Sequence, residues 1–191
     1  MRKIIGVLGL QGAVQEHLDK LNKIENVEAC TVKYKNDIGH IDGLIIPGGE
    51  STAIGRLLAD FELTEPLRNR IINGMPVWGT CAGMIILAKK IVNDERRHLE
   101  VMDIEVMRNA YGRQLDSFTT TVDLPAVSPD KIPLVFIRAP YVVDVAPQVQ
   151  VLLKLQNHIV ACRQGNILAT SFHPELTNDL SFHKYFAGMV G

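Results

Sequence analysis

Cysteine is scarce in this sequence, which holds three cysteines in 191 residues. An odd and sparse count argues against a disulfide framework, and the absence of a C-x-x-C pair argues against a zinc site. No apolar run reaches the roughly 18 residues that a membrane-spanning helix needs. The apolar run after Arg2 and Lys3 is also shorter than the core of a secretory signal peptide, and a first β-strand is the better interpretation. We therefore expect a cytoplasmic protein without a membrane partner.

An excess of charge of either sign is also missing. The 20 Lys and Arg residues are balanced by 21 Asp and Glu residues, which gives a net charge of −1. Because nucleic-acid-binding domains usually carry a basic face, this balance predicts no nucleic-acid partner. Hydrophobic residues make up 47% of the sequence, and this share excludes the disordered and fibrous classes. The length suits a single domain over residues 1–191.

Strand and helix patterns alternate in the first half of the sequence. Strands are predicted at residues 3–8, 27–32, 43–46 and 76–78, and helices at residues 13–24, 51–58 (with Ser51 as N-cap), 63–72 and from residue 83 to about 90. The second half holds short strand patterns, a hairpin signal at residues 164–166 and a closing helix at 180–189. We expect a three-layer α/β fold. Its mostly parallel central sheet has helices on both faces, with some antiparallel strands and a small side sheet in the C-terminal half.

The most informative segment is Gly79-Thr80-Cys81-Ala82-Gly83, which follows a predicted strand and opens a predicted helix. A nucleophile between two such glycines, at a strand-to-helix turn, is typical of a nucleophile elbow. The positive end of the helix dipole favours the thiolate form of a cysteine there, and the backbone N–H of Ala82 is placed to donate to an oxyanion. An isolated cysteine is more often a buried structural residue, but the flanking glycines favour the nucleophile.

A second candidate motif is His173-Pro174-Glu175, which follows another predicted strand. Proline biases the residue before it toward an extended conformation, in which side chains two residues apart point the same way. Glu175 is therefore expected to reach the imidazole of His173 and fix its tautomer, as the third member of a triad does. Taken alone, the motif is more often a surface turn; the cysteine elbow upstream favours the triad.

The third motif is Pro47-Gly48-Gly49-Glu50-Ser51, between a predicted strand and a predicted helix. Its glycines leave backbone N–H groups free to face a ligand or an oxyanion, although a tight turn with a helix cap explains the segment equally well. The spacing matches neither of the glycine-rich phosphate-binding motifs. All three motifs end predicted strands, which is the edge where open α/β sheets bind ligands.

Together with Gly9-Leu10-Gln11-Gly12, these motifs resemble those of the class I, triad-type glutamine amidotransferases, and within them the glutaminase subunits of pyridoxal 5′-phosphate synthase. The resemblance covers essentially the whole chain. It implies that Cys81 is the nucleophile and that His173 and Glu175 complete the triad. It also implies a glutamine site and an oxyanion site coupled to the partner. The glutamine contacts are Gly49, Glu50, Ser51, Arg108, Ile137 and Arg138, and the oxyanion and coupling residues are Gly48, Ala82 and Gln11.

The reaction that the resemblance implies is hydrolysis of glutamine to glutamate and ammonia through a cysteine thioester, with no metal and no organic cofactor. One glutaminase domain accounts for all 191 residues, so a separate synthase subunit is expected to receive the ammonia. Three alternatives stay open, because fold alone excludes none of them. They are the glutaminase subunit of another enzyme such as imidazole glycerol phosphate synthase, a partner-independent cysteine hydrolase or chaperone of the same fold, and a non-catalytic binding module.

Overall fold

A central sheet of ten strands organises the part of the chain that the computed structural model describes, residues 2–108 and 117–191. Along the chain the strands are β1 (Lys3–Leu8), β2 (Val27–Val32), β3 (Gly43–Ile46), β4 (Val77–Thr80), β5 (Ala88–Ile91), β6 (Met102–Met107), β7 (Ser117–Val122), β8 (Ile132–Ile137), β9 (Tyr141–Val145), β10 (Gln150–Leu155), β11 (His158–Gln164) and β12 (Ile167–Thr170). The α-helices are α1 (Val14–Leu21), α2 (Ser51–Asp60), α3 (Thr64–Ile72), α4 (Ala82–Leu87) and α5 (Ser181–Met189). Short 3₁₀ helices occupy Lys35–His40 and Pro174–Leu176.

The sheet is parallel in its first half and mixed in its second. Its order is β2-β1-β3-β4-β12-β11-β9-β6-β5, with β10 paired to β11 outside this path. Strands β2, β1, β3, β4 and β12 pair in parallel, whereas β11 pairs antiparallel with β12, β10 and β9. Strands β7 and β8 form a separate antiparallel pair. The predicted α/β fold, with antiparallel strands and a side sheet in the C-terminal half, is confirmed.

Helices cover both faces of the central sheet, which explains why its inner strands are apolar throughout. In β3, Leu44 and Ile46 pack into one hydrophobic cluster and Ile45 packs into the other. Helices α2, α3 and α4 contribute to the first cluster, and α1 and α5 contribute to the second. A strand buried on both faces cannot alternate with polar residues, so the continuous apolar runs of β1, β3 and β4 follow from this layering.

The structure corrects some predicted elements. The helix predicted to run to about residue 90 ends at Leu87, and β5 follows. Residues 88–91 suit a helix locally, but they pair in parallel with β6, and Lys89 bonds Asp103 there at 2.6 Å. Strand β9 and the 3₁₀ helix at Lys35–His40 were not predicted, and α1 is shorter than expected at both ends. Within residues 2–108 and 117–191, no helix combines the length and apolar character needed to cross a membrane.

Candidate active site

The candidate nucleophile, Cys81, lies between the end of β4 and the start of α4. Its backbone has φ 48° and ψ −106°, a conformation that costs a residue with a Cβ on the order of 1–3 kcal/mol. The Cys81 N–H donates to the carbonyl of Thr170 at 2.8 Å, so the pairing of β4 with β12 extends into the turn. This sharp turn at the carboxyl edge of the sheet is the local geometry that the glycine-flanked cysteine predicts.

The two glycines of the turn are required by close backbone contacts. A Cβ at Gly79 would collide with the carbonyl of Gly83, and a Cβ at Gly83 would collide with the carbonyl of Ile46. Helix α4 therefore begins directly against β3 and β4, and only a residue without a side chain permits this approach. The same packing places the N-terminal end of α4 beside the Cys81 thiol.

His173 and Glu175 follow β12 and form a hydrogen-bonded pair. His173 Nδ1 lies 2.7 Å from Glu175 Oε1, and the Glu175 side chain is completely buried. The sequence predicted this contact. It also predicted an extended backbone for the motif, and that prediction is wrong because Pro174–Leu176 form a 3₁₀ turn. The N–H of His173 donates to the carbonyl of Val135 at 2.8 Å, which ties the motif to β8.

The surroundings of His173 favour its protonated form. Burial lowers the pKa of His173, but hydrogen bonds to Cys81 and Glu175 and the negative charge of both groups outweigh burial and raise the pKa to about 10. Burial acts without opposition on Cys162 and raises the pKa of its thiol to about 12. Cys81 is thus the cysteine that lies beside an imidazolium, the arrangement in which a thiol becomes a nucleophile.

A cavity of about 440 Å³ opens beside Cys81 and brings the predicted site residues together. Of the twelve that were predicted, all except Glu175 line it, and Glu175 lies behind the His173 ring. The lining residues that were predicted are Gln11, Gly48, Gly49, Glu50, Ser51, Cys81, Ala82, Arg108, Ile137, Arg138 and His173. Such a volume suits a small-molecule ligand. Among the described residues, no group of three or more His, Cys, Asp or Glu side chains is arranged to hold a metal ion.

The glycine loop that follows β3 is held in place by the segment that follows β1. The Gly48 carbonyl accepts a hydrogen bond from the Ala13 N–H at 3.1 Å, and Gln11 Oε1 accepts one from the Glu50 N–H at 2.8 Å. A Cβ at Gly49 would collide with this Gln11 oxygen. The Gln11 side-chain oxygen therefore contacts the loop twice, by accepting from the Glu50 N–H and by packing closely against Gly49.

Helix α2 begins immediately after the loop, and its cap differs from the prediction. Ser51 was predicted as the N-cap, but Glu50 holds this position and its carboxylate accepts from the N–H groups of Thr52 at 3.0 Å and Ala53 at 2.7 Å. Glutamate is an unusual N-cap, and its longer side chain is suited here because it also meets Arg108, whose Nη2 lies 3.4 Å from Glu50 Oε1. Ser51 is instead the first, buried residue of α2.

Comparisons with known proteins identify the family of this chain. The model of the SNO glutamine amidotransferase family matches residues 7–191. This chain belongs to that family. It is 76% identical, over 98% of its length and 100% of the relative's, to a protein of Ruminiclostridium cellulolyticum named pyridoxal 5′-phosphate synthase subunit PdxT. A protein of the same name from Caldanaerobacter subterraneus is 56% identical over 95% of this chain and 96% of its own.

Solved structures share the fold of this chain. A crystal structure described as a glutamine amidotransferase superposes with a TM-score of 0.92 at 41% identity, covering 98% of both chains. A structure of PurLQS from Thermotoga maritima superposes with a TM-score of 0.72 over 100% of both chains. At 16% identity, the second likeness concerns the fold alone.

Two groups of polar residues around the site of this SNO-family chain were missed by sequence reasoning. Asp94 accepts from Arg108 Nη1 at 3.1 Å and from Arg96 Nη2 at 2.6 Å, and bonds from these arginines hold the pKa of Asp94 below its usual range. On the other side, His17 and His183 form a buried contact behind Glu175. The available signal was His17 itself, a histidine on the apolar stripe of a predicted helix.

Proposed function

We propose that this chain is a glutaminase that hydrolyses glutamine to glutamate and ammonia, and that it passes the ammonia to a separate subunit for pyridoxal 5′-phosphate synthesis. The observation that carries the proposal is the placement of Cys81 and His173 on the wall of one cavity, with Glu175 hydrogen-bonded behind His173. The membership of the amidotransferase family and the shared name of the relatives support both the reaction and its partner.

The reaction begins with attack of the Cys81 thiolate on the side-chain amide carbon of glutamine. A carbon–sulfur bond forms, and the carbon–nitrogen bond breaks as His173 gives its proton to the leaving ammonia. Water then gives a proton to His173 and attacks the thioester, so that glutamate leaves and the thiolate returns. The raised pKa of His173, about 10, supports an imidazolium as the resting form, which Glu175 stabilises from behind.

Backbone N–H groups are proposed to stabilise the negative oxygen of each tetrahedral intermediate. The N–H of Ala82 at the start of α4 is one donor, and the Gly48–Gly49 loop supplies the other. A donor of this kind typically contributes about 3–4 kcal/mol to transition-state stabilisation. Both lie on the cavity wall beside Cys81.

The polar ends of glutamine are proposed to bind the rest of the cavity lining. Arg108 and Arg138 offer guanidinium groups to the α-carboxylate, since a guanidinium suits a carboxylate in a bidentate pair. Glu50 is an acidic residue of the lining and suits the α-ammonium group. Gly49, Ser51 and Ile137 complete the contacts through the backbone.

The separate subunit is proposed to be the synthase that builds pyridoxal 5′-phosphate from a pentose phosphate, a triose phosphate and ammonia. This chain needs no metal or organic cofactor for its own step, because Cys81 and His173 supply the nucleophile and the proton. We also propose that the protein is located in the cytoplasm.

The test is an assay of glutamate release by the purified chain, alone and with the synthase subunit. We expect release that rises with the synthase, together with pyridoxal 5′-phosphate formed from glutamine as the nitrogen source. The synthase subunit of imidazole glycerol phosphate synthase serves as the control partner. If the control subunit stimulated glutamate release and the pyridoxal 5′-phosphate synthase subunit did not, the chain would belong to a different pathway. No glutamate release with either would remove the glutaminase proposal.

A further inference from the structure

A buried polar contact continues behind the triad, on the side of Glu175 that faces away from His173. Glu175 Oε1 is hydrogen-bonded to His173, whereas no hydrogen bond from the described residues reaches Oε2. On this side lies His17 of α1, whose Nε2 is 3.5 Å from Oε2. Both side chains are completely buried. An ionised carboxylate oxygen without a donor in such a place is costly, so the orientation of the His17 ring matters.

The tautomer of His17 is decided by its two neighbours. His17 Nδ1 lies 2.9 Å from His183 Nε2, and His17 Nε2 lies 3.2 Å from Thr80 Oγ1. If His17 carried its proton on Nδ1, a bare Nε2 would face the carboxylate, and the N–H at Nδ1 of His183 would be buried without a partner. With the proton on Nε2, an N–H faces both Thr80 and Glu175. His183 then donates to Nδ1 of His17 and holds this tautomer.

Both histidines are neutral, so His17 acts as a hydrogen-bond donor and not as a counter-charge. Burial, followed by the charges of His183 and His173, holds the pKa of His17 well below its usual value. Burial and the charge of Lys20 lower the pKa of His183 to about 3. Among the described residues, the charged or titratable groups that interact with Glu175 include His173 on its own turn and His17 and Lys20 on α1, and His183 of α5 lies behind His17. Lys20 Nζ donates to the Thr177 carbonyl.

We propose that His17 is a positioning residue for the triad, whose Nε2–H faces the second oxygen of Glu175 and keeps the first oxygen on His173. This role rests on the proposed glutaminase reaction. His17 touches neither the cavity nor the reacting atoms, and it acts only through Glu175. Its loss therefore affects turnover and leaves glutamine binding unchanged.

Three substitutions at this position separate the polar contact between Nε2 and Glu175 from the packing of the ring. The amide nitrogen of a glutamine reaches the place of the imidazole Nε2, whereas that of an asparagine reaches only the place of Nδ1. His17→Gln is therefore expected to keep kcat close to that of wild type, while His17→Asn and His17→Leu lose up to about 10-fold. This is less than a full hydrogen bond to a charged group typically contributes, because Nε2 lies 3.5 Å from Oε2. KM stays constant in all three. The assay uses the complex with the synthase subunit.

The pH dependence of kcat is a second measurement, and a change in packing alone does not alter it. Loss of the Nε2–H lets Glu175 turn away from His173, which weakens the hydrogen bond and charge of Glu175 that help to raise the pKa of His173. The basic limb of kcat, where the His173 imidazolium loses its proton, therefore moves to lower pH in His17→Asn and His17→Leu, and stays in place in His17→Gln. Phe182→Leu is the matched control, because Phe182 packs on the same Trp78 ring that His17 contacts and makes no polar contact with the triad. Its melting temperature falls, and its pH profile does not change.

Each result supports the proposal or overturns it. Equal rescue by Asn and Gln, an unshifted basic limb in His17→Leu, or the same shift in Phe182→Leu would each show that His17 does not position Glu175. Absence of glutamine hydrolysis in the wild-type complex would instead remove the proposed function. If His17→Leu does not fold, the Gln and Asn pair still decides the question.

Discussion

Gly48 lies directly against the imidazole ring of His173. A Cβ at this position would stand 2.5 Å from His173 Cε1, 3.1 Å from Nδ1 and 3.3 Å from the Cβ of Cys81. Side chains do not approach one another this closely, so the loop can come near the ring only because residue 48 is glycine. The requirement arises from space beside the candidate triad, and it links the glycine loop after β3 to the motif after β12.

Gly48→Ala is expected to lower kcat by about 100-fold, because a displacement near 1 Å in an active site typically costs that much. The added methyl group forces either the His173 ring or the loop to move. Gly188→Ala is the matched control, since a Cβ at this exposed helix position meets nothing within 4 Å. The measurement is glutamate release by both variants in complex with the synthase subunit. Equal rates for wild type and Gly48→Ala would contradict the contact.

Cys81→Ser is expected to abolish glutamine hydrolysis without changing the fold, because serine is nearly isosteric and a far weaker nucleophile in this setting. Cys30→Ser is the control and keeps its activity. A glutamine-like electrophile is expected to label Cys81 alone. Burial is the largest cause that raises the pKa of both other thiols, to about 12 for Cys162, and so keeps them protonated. A label on Cys30 or Cys162, read by peptide mass, would argue against Cys81 as the nucleophile.

Glu175→Gln is expected to lower kcat and leave KM unchanged. The amide keeps a hydrogen-bonding oxygen near His173 Nδ1, but it carries no charge to stabilise the imidazolium. The equivalent change in a serine protease triad costs about 10⁴-fold, and we expect a smaller loss here because a thiol needs less activation. Steady-state kinetics with the synthase subunit present measure the loss. An unchanged kcat would exclude Glu175 from the triad.

Stability is expected to fall with acid because His17 and His183 are buried in their neutral forms. Their folded pKa values lie below the ordinary 6.5, and that of His183 is about 3. The unfolded chain therefore binds more protons below pH 6.5 than the folded chain does. The stability that these neutral histidines contribute is fully present above pH 6.5 and is lost as the pH falls toward about 3. The free energy of unfolding falls by up to about 1.4 kcal/mol per pH unit for each histidine.

The check is denaturant unfolding of wild type and His183→Leu at several pH values from about 6.5 down to about 4.5. The variant is less stable throughout, but its free energy of unfolding falls less steeply with acid. His40→Leu is the control, because this histidine is exposed. Parallel slopes for wild type and His183→Leu would show that His183 is not buried in its neutral form.

Gln11→Ala is expected to lose stimulation by the synthase subunit while its candidate triad stays intact. The Gln11 side-chain oxygen accepts a hydrogen bond from the Glu50 N–H, and the nearby Ala13 N–H donates one to the Gly48 carbonyl. A partner that moves this segment would therefore move the loop that we propose as the source of an oxyanion donor. Gln148→Ala, which removes a side-chain bond to Asp103, is the control. The measured quantity is the ratio of glutaminase rates with and without the synthase. A normal ratio would leave Gln11 without this role.

Several features could be predicted because they depend on neighbours within a few residues. The strands Lys3–Leu8, Val27–Val32 and Gly43–Ile46 have the predicted bounds, since each is a short run rich in apolar or β-branched residues. The turn at Cys81 follows from its two glycines. The contact of His173 with Glu175 follows from a separation of two residues, although a 3₁₀ turn makes it and not a strand.

Other features were decided only when distant segments packed together. β5 forms because β6 offers it a parallel partner, and Glu50 caps α2 because Arg108 is brought beside it. The contact between His17 and Glu175 joins α1 to the turn after β12. Local sequence patterns report hydrogen bonds and apolar stripes along one element. They do not report which buried polar atoms of two elements meet, and burial makes that pairing decisive because an unpaired polar atom without water is costly. The sequence thus determined the nucleophile turn and its sheet, and the tertiary structure decided what surrounds and supports Glu175.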